Sequence, residues 1–556
     1  MSIEALRISL DGKIAGMRNK RYSWFLHWRE LADYILPRRY RWLVTTNQTS
    51  RGSPLNGNIV DSTGTLAARV LASGMMAGIT SPTRPWFKLK IEGFEDDYEV
   101  GAWLSEVEKR MGRVFQESNF YTSMGVMYFD LVVFGSACII IYEDYENVIH
   151  CCNPCLGEYF FELDYKFEVN TVAREFTMTY DQIFEQFGER NVSDDVRRSQ
   201  NGQAGLGTRE KLIMHIIEPN NNNHDVVPEL FPWREVYWEV GGQRDKLLSS
   251  KGFYDWPCMT PRWDVTANDP YGRSPGMDAL GDVKQLQQEQ RRKAQAIDKM
   301  VNPPLVMDVQ LKNQPASVLP GGVTYVAGLT SGREAAKPLY MVDPKIGELR
   351  ADISDVQQRV RITFQNDLFT GITDLQTVRT ATEIDARREE KLVLLGPVLE
   401  RILGEGLGKA IDRVWGIMWR GRLLPNPPMS LAGQPTNIQV DYVSMLASAQ
   451  RGLATAAIEK LWGFAGNLSA VNPAVLAKLD PYETIDQYGE ALGVSPKLII
   501  PTDDAKNAMA AQQQKQEAAE TLGAAETIAG GAKTLSETEV GGGINALQLA
   551  MGNSGV

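Results

Sequence analysis

Residues 276–300 read GMDALGDVKQLQQEQRRKAQAIDKM and residues 345–369 read KIGELRADISDVQQRVRITFQNDLF. Both are helix-patterned, while residues 301–344 between them carry the breakers Asn302-Pro303-Pro304 and Pro320-Gly321-Gly322. This layout predicts a helical hairpin with a small domain at its far tip, each arm spanning roughly 35 Å at about 1.5 Å per residue. The second arm has Ile346, Leu349, Ile353, Val356, Val360, Phe364 and Leu368 at helical spacing, which makes one apolar stripe. The first arm is too poor in large apolar residues to carry such a stripe along its length, so it needs neighbours or water on most sides.

On that first arm Lys284, Gln288, Arg291, Gln295 and Lys299 share one face made entirely of hydrogen-bond donors, with no carboxylate among them. Such a face suits phosphates inside a channel, and it equally suits an ordinary solvated helix. The insert has strand-like pieces at residues 305–309, 323–327 and 339–342. A short loop follows the second arm, made of Thr370, Gly371, Ile372, Thr373, Asp374, Leu375, Gln376, Thr377, Val378 and Arg379. Thr380-Ala381-Thr382-Glu383 is then a capping box opening a long helix, with an apolar stripe from Leu392 to Met418 and a kink expected at Gly396-Pro397.

Just ahead of the first arm, Gly272-Arg273-Ser274-Pro275-Gly276 matches the Gly-x-Ser-x-Gly nucleophile elbow. In that elbow the N–H after the nucleophile serves the oxyanion hole, and Pro275 has none. Ser274 fits better as an N-cap with Pro275 at the first helical position. No P-loop is present, since Gly12-Lys13 is followed by Ile14 and Gly408-Lys409 by Ala410. None of the four histidines is paired as His-Glu-x-x-His. The residues therefore point away from an enzyme and toward no cofactor.

The five cysteines are Cys138, Cys151, Cys152, Cys155 and Cys258, too sparse for a disulfide framework in 556 residues. His150-Cys151-Cys152-Asn153-Pro154-Cys155 resembles half a zinc site, but the second half is missing, so no metal is expected. A net charge of −11 argues against tight gripping of DNA by phosphate neutralisation, yet suits a wall past which DNA slides. The longest apolar run, residues 131–142, is too short for a bilayer span and reads as buried strand. No apolar segment near residue 1 marks the chain for secretion, which leaves the cytoplasm as the expected site of synthesis.

Working further out, residues up to Pro37 read as a helix with Ile14, Met17, Trp24, Leu31 and Ile35 near one face. Arg38-Arg39-Tyr40-Arg41-Trp42 interleaves bases with aromatics as single-strand nucleic-acid surfaces do, although a solvated basic turn is the simpler reading. Residues 62–79 read as a helix of small residues that permits close packing. Helices are expected at 100–118 and 123–134, strands at 87–91, 158–171, 176–180, 212–218 and 235–240, an exposed loop at 193–208, and an N-cap at Asp181. With no βαβ rhythm the body is α+β.

The blocks GMRNKRYSWFLHWRELADYILPRR, DSTGTLAARVLASGMMAGITSPTRPWFKL, YGRSPGMDALGDVKQLQ and TATEIDARREEKLVLLGPVLERI, in this order, resemble the portal or head-to-tail connector proteins of short-tailed double-stranded DNA bacteriophages. The resemblance covers most of the chain and weakens beyond about residue 435. It implies an α+β portal fold that forms a dodecameric ring at one capsid vertex. Residues 1–275 would be the wing, 276–300 and 345–369 the two-helix stem, 301–344 a small β-containing clip, and 370–379 the tunnel loop. Residues 380–435 would be the long kinked helix, 436–502 a helical crown, and 503–556 a helix fading into a partly flexible tail. Implied partners are further copies of the chain, DNA in the channel, the terminase large subunit, tail adaptors, and the capsid and scaffolding proteins, with no membrane. The rivals are another multimeric virion adaptor or scaffold, and a hydrolase using Ser274.

Overall fold

A computed structural model of the protein describes residues 3–37, 56–94, 97–200, 207–221, 227–301, 305–307, 336–338, 345–367, 396–431, 438–442, 445–469, 478–492 and 502–537. In chain order the elements begin with α1 (Ile3–Tyr34), α2 (Thr63–Ile79), β1 (Phe87–Ile91), α3 (Tyr98–Glu117) and α4 (Phe120–Phe134). Next come β2 (Ile139–Asp144), β3 (Val148–Cys152), β4 (Tyr159–Leu163), β5 (Val169–Thr179), α5 (Tyr180–Phe187) and α6 (Asp194–Gln200). Strands β6 (Glu210–Pro219), β7 (Trp233–Glu239), β8 (Ser249–Phe253) and β9 (Cys258–Met259) precede α7 (Pro275–Val301), β10 (Leu305–Met307), β11 (Ala336–Pro338) and α8 (Ile346–Thr363). The rest are α9 (Gly396–Arg401), a π-helical turn (Ile402–Gly408), α10 (Lys409–Arg420), a 3-10 turn (Met429–Leu431), β12 (Ile438–Tyr442), α11 (Met445–Ser469), α12 (Pro481–Leu492) and α13 (Thr502–Glu537).

The chain divides into two compact units, one of residues 1–89, 107–426 and 440–446, the other of 90–106, 427–439 and 447–556. The first is built on an antiparallel five-stranded sheet in the order β4-β5-β6-β7-β8. Because side chains alternate along a strand, Ala173, Ile216 and Val236 fall on one face, with Met214 and Trp238. Leu6, Leu10, Ile14 and Met17 of α1 cover that face. Arg174, His215 and Tyr237 share the opposite face. There Ile213 and Tyr237 pack with Ile183, Phe187, Val192, Val196 and Leu248 around α5 and α6. A smaller sheet, β3-β2-β9, lies in the same unit. The two structures meet through a 3.0 Å hydrogen bond between the hydroxyls of Tyr142 and Tyr237.

Burial of the polar row is offset by internal hydrogen bonds. His215 Nε2 sits 2.9 Å from Glu235 Oε1, to which Tyr237 also donates at 3.1 Å. Burial drives the His215 ring down to about 4 despite that carboxylate.

The second unit shows helices tied by tyrosines: Tyr488 of α12 donates to Glu459 of α11 at 2.7 Å. Tyr482 of α12 likewise reaches the Met509 sulfur of α13 at 3.0 Å. Leu461, Phe464 and Leu468 of α11 are exposed.

Several boundaries differ from expectation. The apolar run 131–142 is not one strand: Leu131–Phe134 end a helix, Gly135 turns at φ 79°, and β2 starts at Ile139. Thr179, not Asp181, caps α5, through a full capping box with Gln182. The expected loop 193–208 contains α6. The second arm stops at Thr363, with Gln365 at positive φ just beyond. In the long helix the irregularity among the described residues is the π-helical turn, whereas the residues before Gly396 lie outside them. The tail is helical as far as Glu537.

Candidate functional site

The α7 start is fixed by the residues around the elbow-like motif. Ser274 Oγ accepts from the Met277 N–H at 3.1 Å and donates to the Val133 carbonyl at 2.7 Å, which makes it a buried N-cap. Gly276 is glycine because a Cβ there would stand 2.5 Å from the Val133 carbonyl oxygen. Gly272 and Gly135 likewise cross backbone to backbone, each lacking room for a Cβ. The helix thus leaves the core at a fixed point.

Along α7 burial follows composition. Met277, Leu280, Val283 and Leu286 are in the core, and from Gln288 onward the helix is exposed or half-buried. Opposite it, Ile353, Val356 and Val360 of α8 are buried, and Leu286 meets Ile353, Val356 and the half-buried Leu349. Arg359 of α8 reaches Asp282 of α7 at 3.2 Å. The expected hairpin forms.

A polar node holds both arms to the segment before α2. The buried Gln287 carboxamide accepts from the Val60 and Asp61 N–H groups at 2.7 and 2.8 Å and donates to the Asp61 carbonyl at 2.9 Å. Asp61 Oδ2 accepts from Gln290 of α7 at 2.9 Å and Gln357 of α8 at 2.7 Å, while Oδ1 accepts from the Thr63 N–H and hydroxyl. Burial works to raise the Asp61 carboxyl, but these hydrogen bonds outweigh it and hold the group below the usual carboxylate range. Sequence reading missed this node, because contacts between positions so far apart leave no local spacing. The glutamine-rich run 285–290 was its one visible trace.

The donor face of the first arm divides in two. Lys284 is paired with Glu30 at 2.7 Å, and Arg291 donates to the Gly57 and Asn58 carbonyls at 3.3 and 3.2 Å. Gln288, Gln295 and Lys299 are exposed. At the far end of the arms β10 pairs antiparallel with β11, Leu305 opposite Pro338, so the two ends of the insert come together. The expected strands 323–327 and 339–342, the loop 370–379, the capping box at 380–383 and the basic segment 38–42 lie outside the described residues.

Among the described residues no cluster of His, Cys, Asp or Glu could hold a metal, and no helix is long and apolar enough to cross a membrane. The cysteine segment has structural contacts: both backbone polar groups of Cys151 bond the Asn119 side chain at 2.8 Å, and Cys152 Sγ accepts from Arg174 at 3.1 Å.

Residues 7–500 match the family of bacteriophage head to tail connecting proteins. The chain belongs to that family. It is 41% identical over 535 residues to the portal protein of Salmonella phage epsilon15, covering 95% of each chain. It is 39% identical over 510 residues to the probable portal protein of Bordetella phage BPP-1, covering 91% of this chain and 90% of that one. A chain from the neck of an empty gene transfer agent particle aligns at 11% identity and a TM-score of 0.37, over 76% of this chain and 91% of the other. This head-to-tail connector is a structural protein of the phage virion and not an enzyme. The serine at its elbow-like motif agrees: Ser274 is 1% exposed and both its contacts are to backbone.

Proposed function

We propose that copies of this connector close into a dodecameric ring at one capsid vertex, with the α7–α8 hairpin lining a central channel for genome packaging and ejection. The observation that carries this is the hairpin itself. Its apolar seam is used internally, and the outer half of α7 presents the exposed donors Gln288, Gln295 and Lys299. Repeated around a ring, these would offer DNA weak phosphate contacts, while a net charge of −11 on each chain limits adhesion. Residues 301–344, whose ends pair through β10 and β11, would be the docking platform for the packaging terminase and later for tail adaptors. Residues 370–379 would form the loop that meets DNA. The body would contact capsid and scaffolding proteins. Electron micrographs of purified protein test this: rings with a central hole are expected, whereas monomers at every concentration would refute it.

A further inference from the structure

The helix that ends in α10 contains a π-helical turn, Ile402–Gly408, of sequence Ile-Leu-Gly-Glu-Gly-Leu-Gly. A π turn closes its hydrogen bonds one residue later than an α turn and so holds one residue in excess of α-helical register. Glycine-rich sequence weakens any helix, so something outside must hold this turn. Two contacts do.

Arg262 is buried and grips Glu405 of the turn along one edge of its guanidinium, Nη2 to Oε1 at 2.6 Å and Nε to Oε2 at 3.0 Å. The Arg262 N–H also donates to Oε2 at 3.1 Å, and the Thr260 N–H donates to the Glu405 carbonyl at 3.2 Å. Tyr442 donates its hydroxyl to the Leu403 carbonyl at 3.3 Å, supplying a partner from outside the helix.

The two flanks differ in anchoring. Ala410, Ile411, Val414, Ile417 and Met418 of α10 are in the core, and Arg413 is buried beside Glu143 and Asp255. In α9 only Leu399 is buried, and Arg401 reaches Asp264 at 3.7 Å.

We propose that this turn is a register switch, clamped by Arg262 and Glu405, whose relaxation to α-helix re-aims everything on its α9 side. Taking up the extra residue rotates α9 by about 100° and shifts it about 1.5 Å along the axis relative to α10. The switch does not depend on ring formation and is a property of the single chain.

Hydrogen exchange on the purified full-length protein tests it. Arg262→Met should speed exchange in residues 396–408 roughly tenfold while α10 is unchanged. Deleting the exposed Gly404 in that background should restore slow exchange, because a turn without the extra residue needs no clamp. Glu405→Gln, which keeps the shape and loses the charge, is read the same way should Arg262→Met fail to fold. No acceleration, equal acceleration in both halves, or failure of the deletion to restore protection would each overturn the proposal.

Discussion

Gln357 Nε2 lies 2.7 Å from Asp61 Oδ2, and the same oxygen accepts from Gln290, so a single carboxylate ties both arms of the hairpin to the residues before α2. Its hydrogen-bond donors are four neutral groups, the Thr63 N–H and hydroxyl and the Gln290 and Gln357 amides, which satisfy the charge. Asp61→Ala removes the shared acceptor and leaves two amides to find water. Expected is a loss of about 2–3 kcal/mol in local stability, against about 1 kcal/mol for Gln357→Ala. Exchange rates of α7 and α8 amides measure both.

The glycines give a contrast within one helix. Gly276→Ala places a Cβ 2.5 Å from the Val133 carbonyl oxygen, a clash with backbone that cannot step aside. Gly281 has nothing within 4 Å of its ideal Cβ and sits inside α7, so Gly281→Ala should stabilise by about 0.5–1 kcal/mol. Thermal unfolding of the two variants should move in opposite directions, and a tolerated Gly276→Ala would contradict the account of how α7 is fixed.

Much of this was legible in the sequence. The apolar stripe of the second arm, the Ser274 cap and strand β1 all form as their spacing requires, since each rests on neighbours a few residues apart. What escaped is non-local. Strands β3 and β8 gave no strong alternating signal, and β8 (Ser249–Phe253) is strand because β7 pairs with it. The apolar run 131–142 was misread because periodicity alone cannot separate a buried helix end from a buried strand. The left-handed turn at Gly135 and its crossing with Gly272 divide the two.

Glu108 supplies a pH dependence. Its carboxyl accepts from the Leu89 N–H at 2.7 Å, and burial pushes it up to about 7 from an ordinary 4.5. Folding therefore favours the neutral form. The stability tied to it is complete below about 4.5 and is lost as pH rises through about 7. Glu108→Gln keeps an acceptor for Leu89 and removes the titration. The variant should match the parent at pH 4.5 and exceed it by about 2 kcal/mol at pH 8. Denaturation at the two pH values checks this, and an equal difference at both would reject Glu108 as the source.

The channel reading makes the loop at residues 370–379 and the exposed donors of α7 separable from assembly. Gln288, Gln295 and Lys299 are all exposed on the outer half of α7, so replacing all three with glutamate should leave folding unchanged. Each ring would then carry repeated negative charge where phosphates pass, and passage of DNA should slow, most strongly at low salt, because repulsion is screened over about 10 Å at 0.1 M. Deleting residues 373–377 should likewise spare ring formation and impair packaging or genome retention. Micrographs establish assembly, and DNA content per particle reports passage. Intact rings with normal packaging and retention in the loop deletion would remove the proposed contact with DNA from residues 370–379, while leaving the family membership untouched.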